Sequence, residues 1–249
     1  MLMVAQLVEH QVVILKVEGS IPFHQPNNKE WMNKEFEKRG YKVININLGY
    51  EDLLVKTFEE AVRYNKAHGG GGTRGARGRG TGEPGPANFV TTPSLNMYME
   101  YLASIVHREY LTSIVEKEID LKLIPTYCYT RKYFQGSGLT SHIDRPHNEI
   151  SLTYCISGPE WEINMGGNTV ITKIGNAVIY KGCEISHGRA KPSSGEVIQV
   201  FNHWVVSDGA KSNSAYDDGK NEEFYRKMPS KPNWQTAETF DISDKGVKF

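Results

Sequence analysis

The chain has 249 residues, 39% hydrophobic, long enough to build a sizeable core as one domain or two small ones. Its 29 basic and 29 acidic side chains cancel, which gives no general attraction to nucleic acid or an anionic membrane. No run approaches the roughly 20 apolar residues of a membrane span, and three scattered cysteines (Cys128, Cys155 and Cys183) exclude a disulfide scaffold. They read as buried reduced thiols, which fits a cytoplasmic protein.

In chain order, the apolar N-terminus is interrupted by Glu9, His10, Lys16 and Glu18 and has no basic n-region, which argues against a secretory signal. Its stretches V-A-Q-L-V-E-H (4–10) and V-E-G-S-I-P (17–22) resemble a transfer-RNA gene translated in one frame. The expectation is that 1–31 is a non-native N-terminal extension and that the natural start is Met32.

Residues 32–118 read as a helical and mixed N-terminal part. A strand is predicted over Lys42–Leu48 and a helix over Glu51–His68, where Leu53, Leu54, Phe58, Ala61, Val62 and Asn65 form a stripe. Segment 69–88 is expected to be a flexible Gly/Arg-rich loop, with nine glycines between Gly69 and Gly85. Arg74, Arg77 and Arg79 could touch nucleic acid, a weaker reading than a linker. A second helix is predicted over Ser94–Glu118, with Ser94 as N-cap and an apolar face from Leu95 to Ile114.

From 119 to 206 the texture becomes short β segments: Lys122–Phe134, Leu139–Ile143, Glu149–Ser157, Glu160–Asn164, Thr169–Lys173, Ala177–Lys181 and Glu196–Val205. Turn residues such as Gly158-Pro159 and Gly166-Gly167 separate them, which suggests a sandwich or small barrel. Residues 207–249 read as a polar C-terminal tail with one short helix near Glu222–Lys227.

Within the β region, His142 and Asp144 stand two apart on a predicted strand, so an imidazole and a carboxylate can share one cavity. His187 follows downstream. Two histidines and a carboxylate leave open positions on ferrous iron, and zinc accepts the same donors. With eight histidines in the chain, this spacing alone is weak.

The surrounding residues carry more. Tyr133, Gly136, Leu139, His142 and Asp144 spell Y-x-x-G-x-x-L-x-x-H-x-D. Gly175-Asn176-Ala177-Val178 opens a strand leading to His187, and Pro192-Ser193-Ser194-Gly195 precedes Val197–Trp204. In this order the three motifs resemble the 2-oxoglutarate/Fe(II)-dependent dioxygenases of the prolyl 4-hydroxylase type. That resemblance implies an α+β fold: a double-stranded β-helix (jelly-roll, cupin-like barrel) with flanking N-terminal helices. It implies that His142, Asp144 and His187 hold Fe(II) and that Tyr133 reaches the 2-oxoglutarate, with ascorbate a candidate auxiliary reductant. Tyr133 reads equally well as an interior aromatic.

One feature departs from the family. It usually places a Lys or Arg on the strand after the distal histidine, where this chain offers Glu196, Gln199 and Asn202. Arg189, read as lying in the loop before that strand, is the preferred anchor for the cosubstrate's distal carboxylate because a guanidinium binds carboxylates bidentately. Arg145, beside the triad, is the second candidate; either could instead form a surface salt bridge. The expected activity is hydroxylation of a substrate C–H bond, with a protein or peptide favoured over a small molecule or nucleobase. The alternative is a cupin-like module that binds metal or ligand without catalysis.

Overall fold

A computed structural model describes residues 36–46, 48–67, 89–98, 103 and 106–215. The expectations for 1–31, for the glycine-rich segment and for the helix near Glu222–Lys227 lie outside the described residues.

Strand β1 (Tyr41–Asn45) leads to helix α1 (Glu51–Ala67). Acidic Glu51 and Asp52 in its first turn and Lys66 in its last complement the helix dipole. Of the predicted stripe, Leu54, Phe58 and Asn65 are buried. The helix predicted over Ser94–Glu118 is corrected. Leu95–Tyr98 is a strand, β2, paired with the edge of β3, so the ladder overrides the helical period. A π-helical turn over Val106–Leu111 then runs into α2 (Thr112–Ile119), which closes at Asp120 in a left-handed conformation.

The strands that follow are β3 (Leu123–Tyr133), β4 (Leu139–His142), β5 (Ile150–Ser157), β6 (Trp161–Met165), β7 (Asn168–Thr172), β8 (Asn176–Lys181), β9 (His187–Arg189) and β10 (Val197–Val206). Seven of these fall within one residue of the predicted segments. The eighth, β9, holds three residues and replaces the loop expected there.

The strands form two sheets, ordered β1-β8-β5-β10-β3-β2 and β4-β9-β6-β7, and all ladders between named strands are antiparallel. The two facing sheets are the double-stranded β-helix the sequence suggested. Side chains alternate across each strand. On the outer face of the larger sheet, Trp204 donates to the Thr112 hydroxyl of α2 at 2.9 Å, and Tyr154 donates to Glu51 of α1. Between the sheets, Tyr41, Val178 and Tyr180 pack on Ile163, Met165 and Val170, and a second cluster joins Tyr133, Cys155, Val197 and Phe201 to Trp161.

All three cysteines are free thiols; Cys128 and Cys155 are buried, whereas Cys183 is only half-buried. Nor is the start of the polar tail loose surface. Ala215 is buried, and Lys211 pairs with Glu149 at 3.3 Å. Among the described residues no helix is long and apolar enough to cross a membrane.

Candidate metal centre

His142 on β4 and His187 on β9 are directly opposite in the ladder, as are Leu139 and Arg189. Between these pairs two residues of β4 therefore stand opposite one of β9, a bulge of the kind that re-aims side chains beside functional sites. Gly188 makes room for it: a Cβ there would stand 2.8 Å from the Leu139 carbonyl oxygen and the Ser141 Cα. Each histidine donates Nδ1–H to the carbonyl two residues back, His142 to Thr140 at 2.8 Å and His187 to Ile185 at 2.9 Å. This fixes the tautomer and leaves Nε2 as a free lone pair on both rings. Burial lowers both imidazole pKa values, so both are neutral at physiological pH.

Asp144 follows β4, tied by its N–H to the Gly182 carbonyl at 2.7 Å. Its Oδ1 lies 3.8 Å from Nε2 of each histidine. Gly182 is required by close approach, because a Cβ there would sit 2.3 Å from the Asn148 carbonyl oxygen and 2.6 Å from Asp144 Oδ2. Burial pushes the Asp144 carboxyl up to about 6, against the opposing pull of His142. One donor atom from each of the three residues falls within a 4.8 Å group. Two neutral imidazoles and one carboxylate fit a divalent metal such as ferrous iron or zinc, with one side of the ion left to other ligands.

Arg189 stands two residues from His187 on the same face of β9, about 7 Å along the strand. It is a strand residue, correcting the loop placement. Only 2% exposed, it donates to the Trp161 and Glu162 carbonyls and to Thr172 Oγ1 at 3.0–3.1 Å, and to Gln199 Oε1 at 3.0 Å. Its guanidinium carbon lies 4.3 Å from the Trp161 ring centroid. Burial lowers its pKa to about 10, which still leaves it charged at neutral pH. Among the described residues no carboxylate pairs with it.

Tyr133 is fully buried, edge-on to Trp161, and its hydroxyl accepts from Arg131 at 3.2 Å. Arg145 lies next to Asp144 in sequence, and its charge helps hold the Asp144 carboxyl down. It is exposed, and its guanidinium lies over the Tyr127 ring at 4.9 Å.

The sequence reading missed several neighbours of the site. Arg131 shares the inner face of β3 with Tyr133, which the period of two could have revealed. Phe89, 49% exposed and held at φ 64°, stacks on the His142 ring at 4.1 Å between centroids and 7° between planes. Its carbonyl accepts from the Thr140 N–H at 2.6 Å. No local signal marks it, since it directly follows the glycine-rich segment. Ser151, Thr172, Gln199 and His203 come together only through strand register.

No family model matches the chain, and no curated protein matches it in sequence. Solved structures match its fold. A 2OG-Fe(II) oxygenase family oxidoreductase from Burkholderia pseudomallei aligns with TM-score 0.50 and 10% identity over 72% of this chain and 92% of its own. A prolyl-4-hydroxylase from Pseudomonas putida aligns with TM-score 0.50 and 13% identity, over 70% and 96% respectively. A prolyl hydroxylase from Trichoplax adhaerens, in complex with a hypoxia inducible factor oxygen degradation domain peptide fragment, gives 0.50 and 12%, over 77% and 97%. With its two facing sheets and a His-Asp-His cluster between them, the chain has the fold of the 2-oxoglutarate/Fe(II) oxygenases.

Proposed function

We propose that the protein is a 2-oxoglutarate- and Fe(II)-dependent dioxygenase that hydroxylates a C–H bond, with His142, Asp144 and His187 as the iron ligands. The observation that carries this reading is the pairing of an open His-Asp-His set with a buried Arg189, two residues beyond His187 on the same strand, that no carboxylate among the described residues pairs. A buried charge without a counter-ion is costly unless a ligand supplies one. Arg189 would take the distal carboxylate of the cosubstrate, and Gln199 and Thr172 hold its guanidinium in place. Tyr133 would add a hydroxyl to the same pocket. Arg145, exposed over Tyr127, is not proposed as the anchor.

When bound, iron and 2-oxoglutarate together supply oxygen activation: 2-oxoglutarate is converted to succinate and CO₂ while one oxygen atom enters the substrate C–H bond. The chain's own part is to bind and orient. The Nδ1 hydrogen bonds aim both imidazoles, the apolar contacts between the sheets exclude water, and Arg189 sets the direction of the cosubstrate. The substrate we propose is a peptide side chain. A structure of the same fold holds a peptide fragment, and exposed Phe89 and Ile143 give the triad an apolar rim.

The test is turnover of 2-oxoglutarate to succinate in air, with Fe(II) and without added substrate. Slow succinate production by the wild type, absent in His187→Ala, supports the reading; a wild type that binds Fe(II) and makes no succinate contradicts it.

A further inference from the structure

The two imidazole ligands are steadied by carbonyls two residues back along the chain, whereas the carboxylate ligand is steadied by side chains, Asn148 and, from the opposite sheet, Ser151. Register places His203 of β10, Ser151 of β5 and Tyr180 of β8 in one cross-strand row. The row faces the metal centre: the Tyr180 ring lies 4.7 Å from that of His187, and Ser151 Oγ is 3.2 Å from Asp144 Oδ2.

A serine hydroxyl has one proton to give. Its acceptors here are the charged Asp144 Oδ2 at 3.2 Å, the neutral Asn148 carbonyl at 3.4 Å and the neutral Tyr180 hydroxyl, and the charge-assisted bond is the strongest of the three. Ser151 Oγ then turns a lone pair toward His203 Nδ1, 2.9 Å away, so that nitrogen carries the ring proton. His203 is 2% exposed and sits against Tyr127, with ring centroids 4.7 Å apart. Among the described residues its Nε2 has no hydrogen-bond partner. An imidazole buried with one nitrogen orphaned destabilises the core relative to an apolar side chain. What it contributes is the Nδ1–H bond.

We propose that Ser151 and His203 are positioning residues for the carboxylate ligand: the chain His203 Nδ1–H to Ser151 Oγ–H to Asp144 Oδ2 turns Oδ2 away, so that Asp144 offers Oδ1 alone. The distances agree, since Oδ1 is the oxygen 3.8 Å from Nε2 of both histidines. A carboxylate held to one oxygen keeps a coordination position open. Outer partners of this kind are a recognised part of how proteins tune a metal. The inference rests on the reading of the triad as a metal site.

The experiment titrates the full-length, metal-free protein with Co(II) under anaerobic conditions and follows affinity and the visible Co(II) absorption. Ser151→Ala and His203→Leu are expected to bind Co(II) roughly 10–100-fold more weakly, with an altered spectrum. His203→Asn, whose amide N–H can stand in for Nδ1–H, is expected to restore both toward the wild type. Wild-type affinity and spectrum in Ser151→Ala overturn the proposal. So does a His203→Asn variant that folds by circular dichroism but binds no better than His203→Leu. If His203→Leu does not fold, Ser151→Ala and His203→Asn decide alone. A wild type that binds no Co(II) overturns the metal-site reading and this inference with it, which separates the two failures.

Discussion

The four-stranded and six-stranded sheets contribute to the centre in different ways. The smaller sheet carries the donors: His142, His187 and Arg189 lie on two strands of four and three residues, with Asp144 just beyond. It reaches this geometry through a bulge and a Cβ-free Gly188, features that weaken a ladder. The larger sheet carries long, buried strands and supplies partners to the donors from across the site, namely Ser151 and, through it, His203 on Asp144, Tyr180 on His187 and Gln199 on Arg189. Chemistry is thus placed on the less regular layer, and the more regular one adds cross-sheet partners to the contacts that layer makes for itself.

Removing a donor from the smaller sheet breaks this division most sharply. His187→Ala or Asp144→Ala should abolish stoichiometric divalent-metal binding while leaving the circular dichroism of the fold intact, because the apolar contacts between the sheets remain. Metal retained by both variants would place the site elsewhere.

The next effect is on the cosubstrate. Arg189→Met should weaken 2-oxoglutarate binding by on the order of 2–5 kcal/mol, the loss expected for a buried charge-assisted pair, with metal affinity little changed. Arg145→Met should leave that binding within about 0.5 kcal/mol of the wild type, as for most surface substitutions. Calorimetry on the metal-loaded, anaerobic protein separates the two, and the reverse order would move the anchor to Arg145.

A third test sharpens the comparison through pH. The Asp144 carboxyl sits near 6 in the fold, raised above its ordinary value of 3.8. The folded, metal-free protein therefore holds that proton more tightly than the unfolded chain does. Its contribution to stability is full below about pH 4 and is lost as pH rises through about 6. Asp144→Asn should remove this window and stabilise the metal-free protein at neutral pH by on the order of 2–3 kcal/mol. Thermal melts from pH 4 to 8 read it directly; parallel curves for the two proteins would contradict it.

The smallest effect concerns Phe89. Phe89→Ala removes the ring stacked on His142 and should cost about 0.5–1.5 kcal/mol of metal affinity, measurable in the same Co(II) titration. A loss as large as that of a ligand variant would mean that Phe89 organises β4 itself.

The same division explains how much of the molecule the sequence disclosed. Alternation and turn glycines located seven strands to within one residue, since each strand carries its own period. The triad was readable because His142 and Asp144 are neighbours in a motif and His187 follows a recognisable strand. The loop placement of Arg189 fails because β9, at three residues, is too short to show a period. β2 was misread because Leu95–Tyr98 suits a helix until β3 offers a ladder. Ser151 and His203 were beyond reach. They stand 52 residues apart, and only the β5–β10 register joins them.

In the proposed function the two sheets together build one site for iron and 2-oxoglutarate. The most direct test of that function is the visible absorption of the anaerobic protein when Fe(II) and 2-oxoglutarate are added together. A weak charge-transfer band should appear in the wild type, need both additions, and be absent in His187→Ala. Absence of the band from folded wild-type protein, with Fe(II) and 2-oxoglutarate both in excess, would contradict the account.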